Sequence, residues 1–277
     1  MLKSILLGLD GSPSADAALE LGIQWAKRFD ALLAGLGIVD EAAIRAPEPE
    51  PIGGGYYKHE RDEELVQAAH RAMEQVLERF AARCAEAGVA FDRLENAGVP
   101  YQAVLRESQR YDLVLFGHET HFRFGTQNRP DETLWNVLKQ APRPVVVAPP
   151  ELHGGASNVL AYNGSPQADR ALQAFQSSGL DLGEEVCVLS LGDDPEETGR
   201  QAQSAAESLR RHRINAAAHT RAPAGGVHQA ILEEVRKRNA RLLVMGAYGH
   251  STVREFLLGS VTKDVLRASP APVFLCH

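Results

Sequence analysis

The chain has 277 residues, 44% of them hydrophobic and 23% charged, with a formal net charge of −7. That length suits two domains, each able to bury its own core. The acidic balance, with a pI near 5.8, lacks the cationic footprint of a general nucleic-acid or anionic-membrane binder.

The N-terminal "MLKSILLGLDGSPS" carries one lysine and an apolar run too short for a secretory leader, so it reads as a buried strand. Ser12 is placed to cap the helix that follows, with Pro13 in its first turn. "LLAGLGIV", "VAFDRL", "DLVLFG" and "PVVVAP" read as further strands, and residues 61–87 as a helix ended by Gly88. Between the second strand and that helix, residues 41–60 hold prolines, glycines and two tyrosines. They suggest a mobile flap or a tolerated surface insertion. No segment has the length of a membrane span. Cys84, Cys187 and Cys276 stand far apart without metal or CxxC spacing, as structural thiols in a reducing, cytoplasmic compartment would.

After the linker "PPELHGGAS" the chain repeats itself. "LLGLDGSPSADAALELG" (6–22) matches "VLAYNGSPQADRALQAF" (159–175), and "YDLVLFGHET" (111–120) matches "ARLLVMGAYG" (240–249). "KQAPRPVVVAPP" (139–150) matches "RASPAPVFLCH" (267–277). Three blocks in one order mean two copies of one unit, residues 1–149 and 157–277. In the second copy "NVLAY", "EEVCVLSL", "INAAAHT", "RLLVMG" and "APVFLC" take the strand positions, with a helix near 196–213. Near-continuous apolar strands separated by helices predict two tandem doubly wound five-stranded parallel α/β domains.

In such a sheet, in the order 3-2-1-4-5, a ligand sits beyond the strand ends where the order reverses. In the second copy Asn163 and Gly164 end the first strand, and Gly246 ends the fourth. Gly246 and Gly249 leave backbone N–H groups free to face a ligand. Gly259 and Ser260 open the next helix, whose N-terminus suits phosphate. Ser260 and Thr262 add hydroxyl donors. There is no Walker A lysine, no GxGxxG and no GxSxG elbow. His118 and His121 stand i, i+3 in "GHETHF" with no further ligands beside them, and no metal site is assigned. Trp25 and Trp135 sit in helical patterns as core residues.

The pattern G-x2-G-x9-G-[ST], as Gly246, Gly249, Gly259 and Ser260, resembles the ATP-binding signature of the universal stress protein family. So do the strands ending in "DGS" and "NGS" and the Pro-x-Pro before the last strand. The resemblance covers nearly all of both copies. It implies a tandem, Rossmann-like, adenine nucleotide-binding protein without a dedicated catalytic apparatus, and a stress-linked regulatory role. It also implies pairing through the last strand, so that "PVVVAP" and "PVFLC" could form an intramolecular pseudo-dimer. A homodimer and a regulatory protein partner of unknown identity belong to the same expectation.

By this resemblance Asn163, Gly164, Leu191, Gly246, Gly249, His250, Gly259, Ser260, Val261 and Thr262 hold ATP, with magnesium as its companion ion. Tyr248 and Arg254 are further loop candidates. The copies are not equivalent. The first keeps an aspartate, Asp10, where the second has Asn163, and Val39 stands for Leu191. It has Thr120 for the second glycine, and Asp131 and Glu132 where Gly259 and Ser260 stand. Two carboxylates at a helix N-terminus satisfy the dipole and repel phosphate, so the first copy is expected to have lost triphosphate binding. The expected role is a non-enzymatic nucleotide-binding regulator. A weak ATPase and a structural adaptor with vestigial sites are the alternatives.

Overall fold

The computed structural model describes residues 1–48, 55–126, 132–247 and 259–276. The chain divides into two compact units, Lys3–Val137 and Leu138–His277 with Met1–Leu2.

The first unit holds β1 (Ser4–Gly8), α1 (Pro13–Phe29), β2 (Leu32–Val39), α2 (Glu41–Ile44), α3 (Gly55–Ala87), β3 (Phe91–Ala97), α4 (Pro100–Ser108) and β4 (Leu113–Gly117). Its strands lie in the order β3-β2-β1-β4, all parallel. Helix α5 (Thr133–Gln140) crosses the unit boundary.

The second unit takes in β5 (Val145–Ala148), β6 (Ser157–Ala161), α6 (Pro166–Ser178), β7 (Glu185–Leu191) and α7 (Pro195–Arg211). It continues with β8 (Ala216–Arg221), α8 (Val227–Lys237), β9 (Ala240–Gly246), α9 (Ser260–Ala268) and β10 (Val273–Cys276). The strand order is β5-β10-β9-β6-β7-β8. The second repeat therefore reads 3-2-1-4-5 with every pair parallel. Strand β5, from the first repeat, pairs antiparallel with β10, Val145 opposite Leu275. This is the pairing of "PVVVAP" with "PVFLC" that the sequence suggested.

Local chemistry explains the matching starts of the two repeats. Ser12 Oγ accepts from Ala15 N at 3.2 Å and Ser165 Oγ from Ala168 N at 3.2 Å. Each cap precedes a proline at the first helical position, where a missing N–H costs nothing. Helix α1 buries Ala15, Ala18, Leu19, Trp25 and Phe29 along one face and stops at Asp30, in the left-handed region at φ 51°. The central strands are buried on both faces, which is why they read as unbroken apolar runs.

The inserted segment is helical at both ends of its described part. Residues 41–44 form α2, capped by Asp40, and α3 begins at Gly55, six residues ahead of the expected start. Arg45 pairs with Glu63 at 3.1 Å and Glu41 with His70 at 2.9 Å, tying α2 to α3. Pro47 lies just beyond the end of α2. Residues 49–54 lie outside the described set.

Candidate functional site

In the second repeat, the ends of β6, β7 and β9 and the first turns of α7 and α9 enclose a cleft of about 610 Å³. It lies at the reversal point of the strand order, between β6 and β9, and its volume is that of a small-molecule site. Ala161, Leu189, Leu191, Val227, Ile231 and Met245 make an apolar slot. Asp193, Asp194 and Glu197 line the α7 side. Asp194 is committed to capping α7: its Oδ1 accepts from Glu196 N at 2.9 Å and Glu197 N at 3.2 Å. Tyr162 also lines the slot, and its hydroxyl donates to Asp169 Oδ1 at 2.5 Å. Burial first, and then this bond to a carboxylate, pushes the phenol up to about 12, so Tyr162 stays uncharged at neutral pH.

Of the residues expected from the sequence, Asn163, Leu191, Gly246, Gly259, Ser260, Val261 and Thr262 line this cleft. Gly164 does not: it sits in the turn behind Asn163 at φ +70°, against Gln201, as Gly11 does at +79° in the first repeat. Its role is to turn the chain. Gly249 and His250 lie outside the described residues, as do Tyr248 and Arg254. Asn163 Oδ1 accepts from Ser165 N at 3.2 Å, which leaves its NH2 group as the donor. Thr262 is buried and its Oγ1 donates to the Ala247 carbonyl at 3.0 Å. It pins α9 to the end of β9 and is not the hydroxyl donor expected. Tyr162, Glu197, Gln201 and the α8 pair Val227 and Ile231 were not anticipated. The one signal for the α7 wall was the "DDPEE" start of that helix, which reads as a cap and not as a site.

The described glycines of the signature separate physically. A Cβ on Gly246 would lie 2.8 Å from Ala168 N and from the Gln167 carbonyl carbon, so this glycine lets α6 approach β9. Its counterpart Gly117 would meet Ser14 and Ala15 backbone at 2.3–2.6 Å. Gly259 is different. Among the described residues nothing lies within 4 Å of its Cβ position, and its φ of −58° suits any residue. It is the N-cap of α9, which no described side chain caps and whose first turn holds no acid. The helix therefore presents its N–H dipoles and partial positive charge beside the cleft.

The first repeat has the same framework with its cleft filled. Strand register makes Gly8, Ile38, Phe116 and Gly117 the counterparts of Ala161, Leu191, Met245 and Gly246. The sequence reading had set Val39 against Leu191; both end their strands, but the register shifts the match to Ile38. Phe122 packs edge-on against Phe116, ring centroids 6.2 Å apart. Its Cζ lies 3.0 Å from where a Cβ on Gly8 would be. Asp10 Oδ1 accepts from Ser12 N at 3.0 Å and Oδ2 from His121 N at 2.5 Å. The helix end differs as well. Glu132 O accepts from Asn136 N at 2.8 Å, making Glu132 the N-cap of α5 as Gly259 is of α9. Glu132 thus matches Gly259, one residue off the alignment made from sequence, and Asp131 lies outside the described residues. Among the described residues no group of three His, Cys, Asp or Glu side chains is placed to hold a metal ion. No described helix is long and apolar enough to cross a membrane.

The fold defines a doubly wound, Rossmann-like α/β architecture, present twice, with an open cleft at the switch point of the second copy. The family model for universal stress proteins matches residues 1–149 and again 158–277, and the chain belongs to the universal stress protein family. It is 22% identical to universal stress protein Slr1230 of Synechocystis sp. over 283 residues, covering 98% of this chain and 99% of that one. Among solved structures it is similar to a universal stress protein of Archaeoglobus fulgidus, with TM-score 0.69, 21% identity, and 99% and 97% of the two chains covered. It is also similar to the functionally unknown protein PA1789 of Pseudomonas aeruginosa, with TM-score 0.60, 16% identity, and 99% and 92% covered.

Proposed function

We propose that the second repeat binds an adenine nucleotide, ATP with magnesium, and that the protein acts as a stress-response regulator by binding it. One observation carries this reading: the N-terminus of α9, which no described side chain caps, lines the same cleft as an apolar slot. A base fits the slot, and Asn163 is placed to donate to the nucleoside. The backbone N–H groups of Ser260 and Val261 then meet the phosphates. Magnesium lowers the charge that ATP brings to a cleft already holding Asp193, Asp194 and Glu197. The antiparallel β5–β10 pair supports reading the tandem chain as its own pseudo-dimer.

The test transplants the first repeat's helix cap. Gly259→Glu places a carboxylate where phosphate would sit, at a position with room for a side chain. Calorimetric titration with magnesium-ATP is expected to show at least a tenfold weaker Kd, about 1.4 kcal/mol, with the melting temperature unchanged. Equal affinity in variant and parent would remove α9 from the site.

A further inference from the structure

Resting on the reading of the second cleft as a nucleoside site, we propose that the first repeat contains a latent site for a neutral nucleoside, closed by its own Phe122. Gly8, Ile38 and Phe116 hold the positions of three cleft-lining residues, yet Ile38 is 0% and Phe116 1% exposed. The cover over Phe116 and Gly8 is local. Phe122, itself 2% exposed, lays an aromatic ring against Phe116 and over Gly8. The preceding amide, His121 N–H, donates to Asp10, the counterpart of Asn163. Ring and donor together occupy the slot as a heteroaromatic base with an N–H would.

The bonds that hold the plug include those to single hydroxyl groups. Glu119 N donates to Ser14 Oγ at 3.0 Å and Gly117 N to Thr120 Oγ1 at 3.1 Å. Phe122 and Phe124 both sit at positive φ, +52° and +46°. Side chains with a Cβ adopt that region at a cost. Closure therefore carries backbone strain that opening releases, and a ligand needs to supply only the remaining difference between the states. Removal of the loop frees one Asp10 oxygen for a ligand hydroxyl or amino group. The Asp10 carboxylate and the Glu132 cap of α5 both disfavour a phosphate tail, so the matching ligand is an uncharged nucleoside.

Adenosine is the probe, titrated calorimetrically into the full chain. The parent is expected to take up one equivalent. Phe122→Gly, which removes the ring and relaxes the positive φ, takes up two. Phe122→Leu, which keeps an apolar plug, takes up one. Asp10→Ala on the Phe122→Gly background returns the second equivalent to none. A parent that binds none while Phe122→Gly binds one would sink the reading of the second cleft and leave the latent site standing. A folded Phe122→Gly chain with the parent's stoichiometry overturns the proposal, as does a parent that already binds two. Should the variants fail to fold, hydrogen exchange of residues 119–122 in the parent decides. At adenosine concentrations far above those that saturate the first equivalent it is expected to rise, as ligand captures the open loop, and exchange that stays flat there overturns the proposal.

Discussion

The two repeats share a framework down to single residues, and their clefts differ because of two short substitutions of role. In the second repeat a glycine begins α9 and leaves its dipole open. In the first, a glutamate begins α5, and a phenylalanine from the loop after β4 fills the slot. A doubly wound sheet provides a crevice wherever its strand order reverses. Whether that crevice is a site depends on the residues at its rim, which cost the fold little to change. Divergence of function on a duplicated scaffold is therefore expected at loop tips and helix caps, away from the strands.

The comparison breaks most sharply at the paired glycines. Gly117→Ala and Gly246→Ala both drive a methyl into helix backbone. Each is expected to cost about 1–3 kcal/mol in urea unfolding, with Gly117 the worse because its contacts are shorter. If Gly246→Ala leaves stability intact and removes only ligand binding, the packing account fails and the glycine belongs to the site alone.

Among the described residues each repeat also buries one carboxylate, Asp62 or Glu234. Burial pushes the Glu234 carboxyl up, but its bond to Arg238 Nε at 2.5 Å and His219 at 3.7 Å outweigh that and hold it below the usual carboxylate range. Lys58, with Arg61, lowers Asp62 despite its burial. A lowered carboxyl stabilises the fold above its unfolded value and loses that contribution as pH falls through its folded one. Glu234→Gln is expected to cost about 1–3 kcal/mol at pH 7 and progressively less below pH 4.5, read by urea melts across that range. A cost independent of pH would mean that the ion pair contributes nothing.

The smallest effects test the symmetry of the repeats. Ser12→Ala and Ser165→Ala remove equivalent helix caps, and each should lower stability by about 1 kcal/mol. Ser12 Oγ also contacts Ser14 Oγ at 3.2 Å, so unequal losses would sharpen the contrast by showing which repeat relies more on its cap. Thermal melts at one protein concentration measure both.

Much of this architecture was legible in the residues. The strands, the duplication and the serine caps follow from apolar runs, repeated blocks and Ser-Pro pairs, because these are local preferences. Of the seven expected residues that line the cleft, five were found from the glycine motif and two, Asn163 and Leu191, from the strand ends. What the spacing could not do was distinguish a packing glycine from a binding one. Gly164 and Gly246 answer to turn geometry and helix approach, and Gly259 alone among the described three has neither reason. The α8 wall of the cleft and the plugging role of Phe122 carried no sequence signal, since each depends on partners far away in the chain.

The sequence by itself determined the two-fold α/β repeat, the positions of its strand ends and the loss of the glycine cap in the first copy. Hydrophobic periodicity and capping chemistry act over a few residues, and these are written in order. Only the tertiary structure decided that one cleft is open and the other filled. That outcome turns on a side chain folding back onto a strand more than a hundred residues earlier, Phe122 over Gly8. No local preference encodes such a contact, which arises from close packing once the sheet has formed.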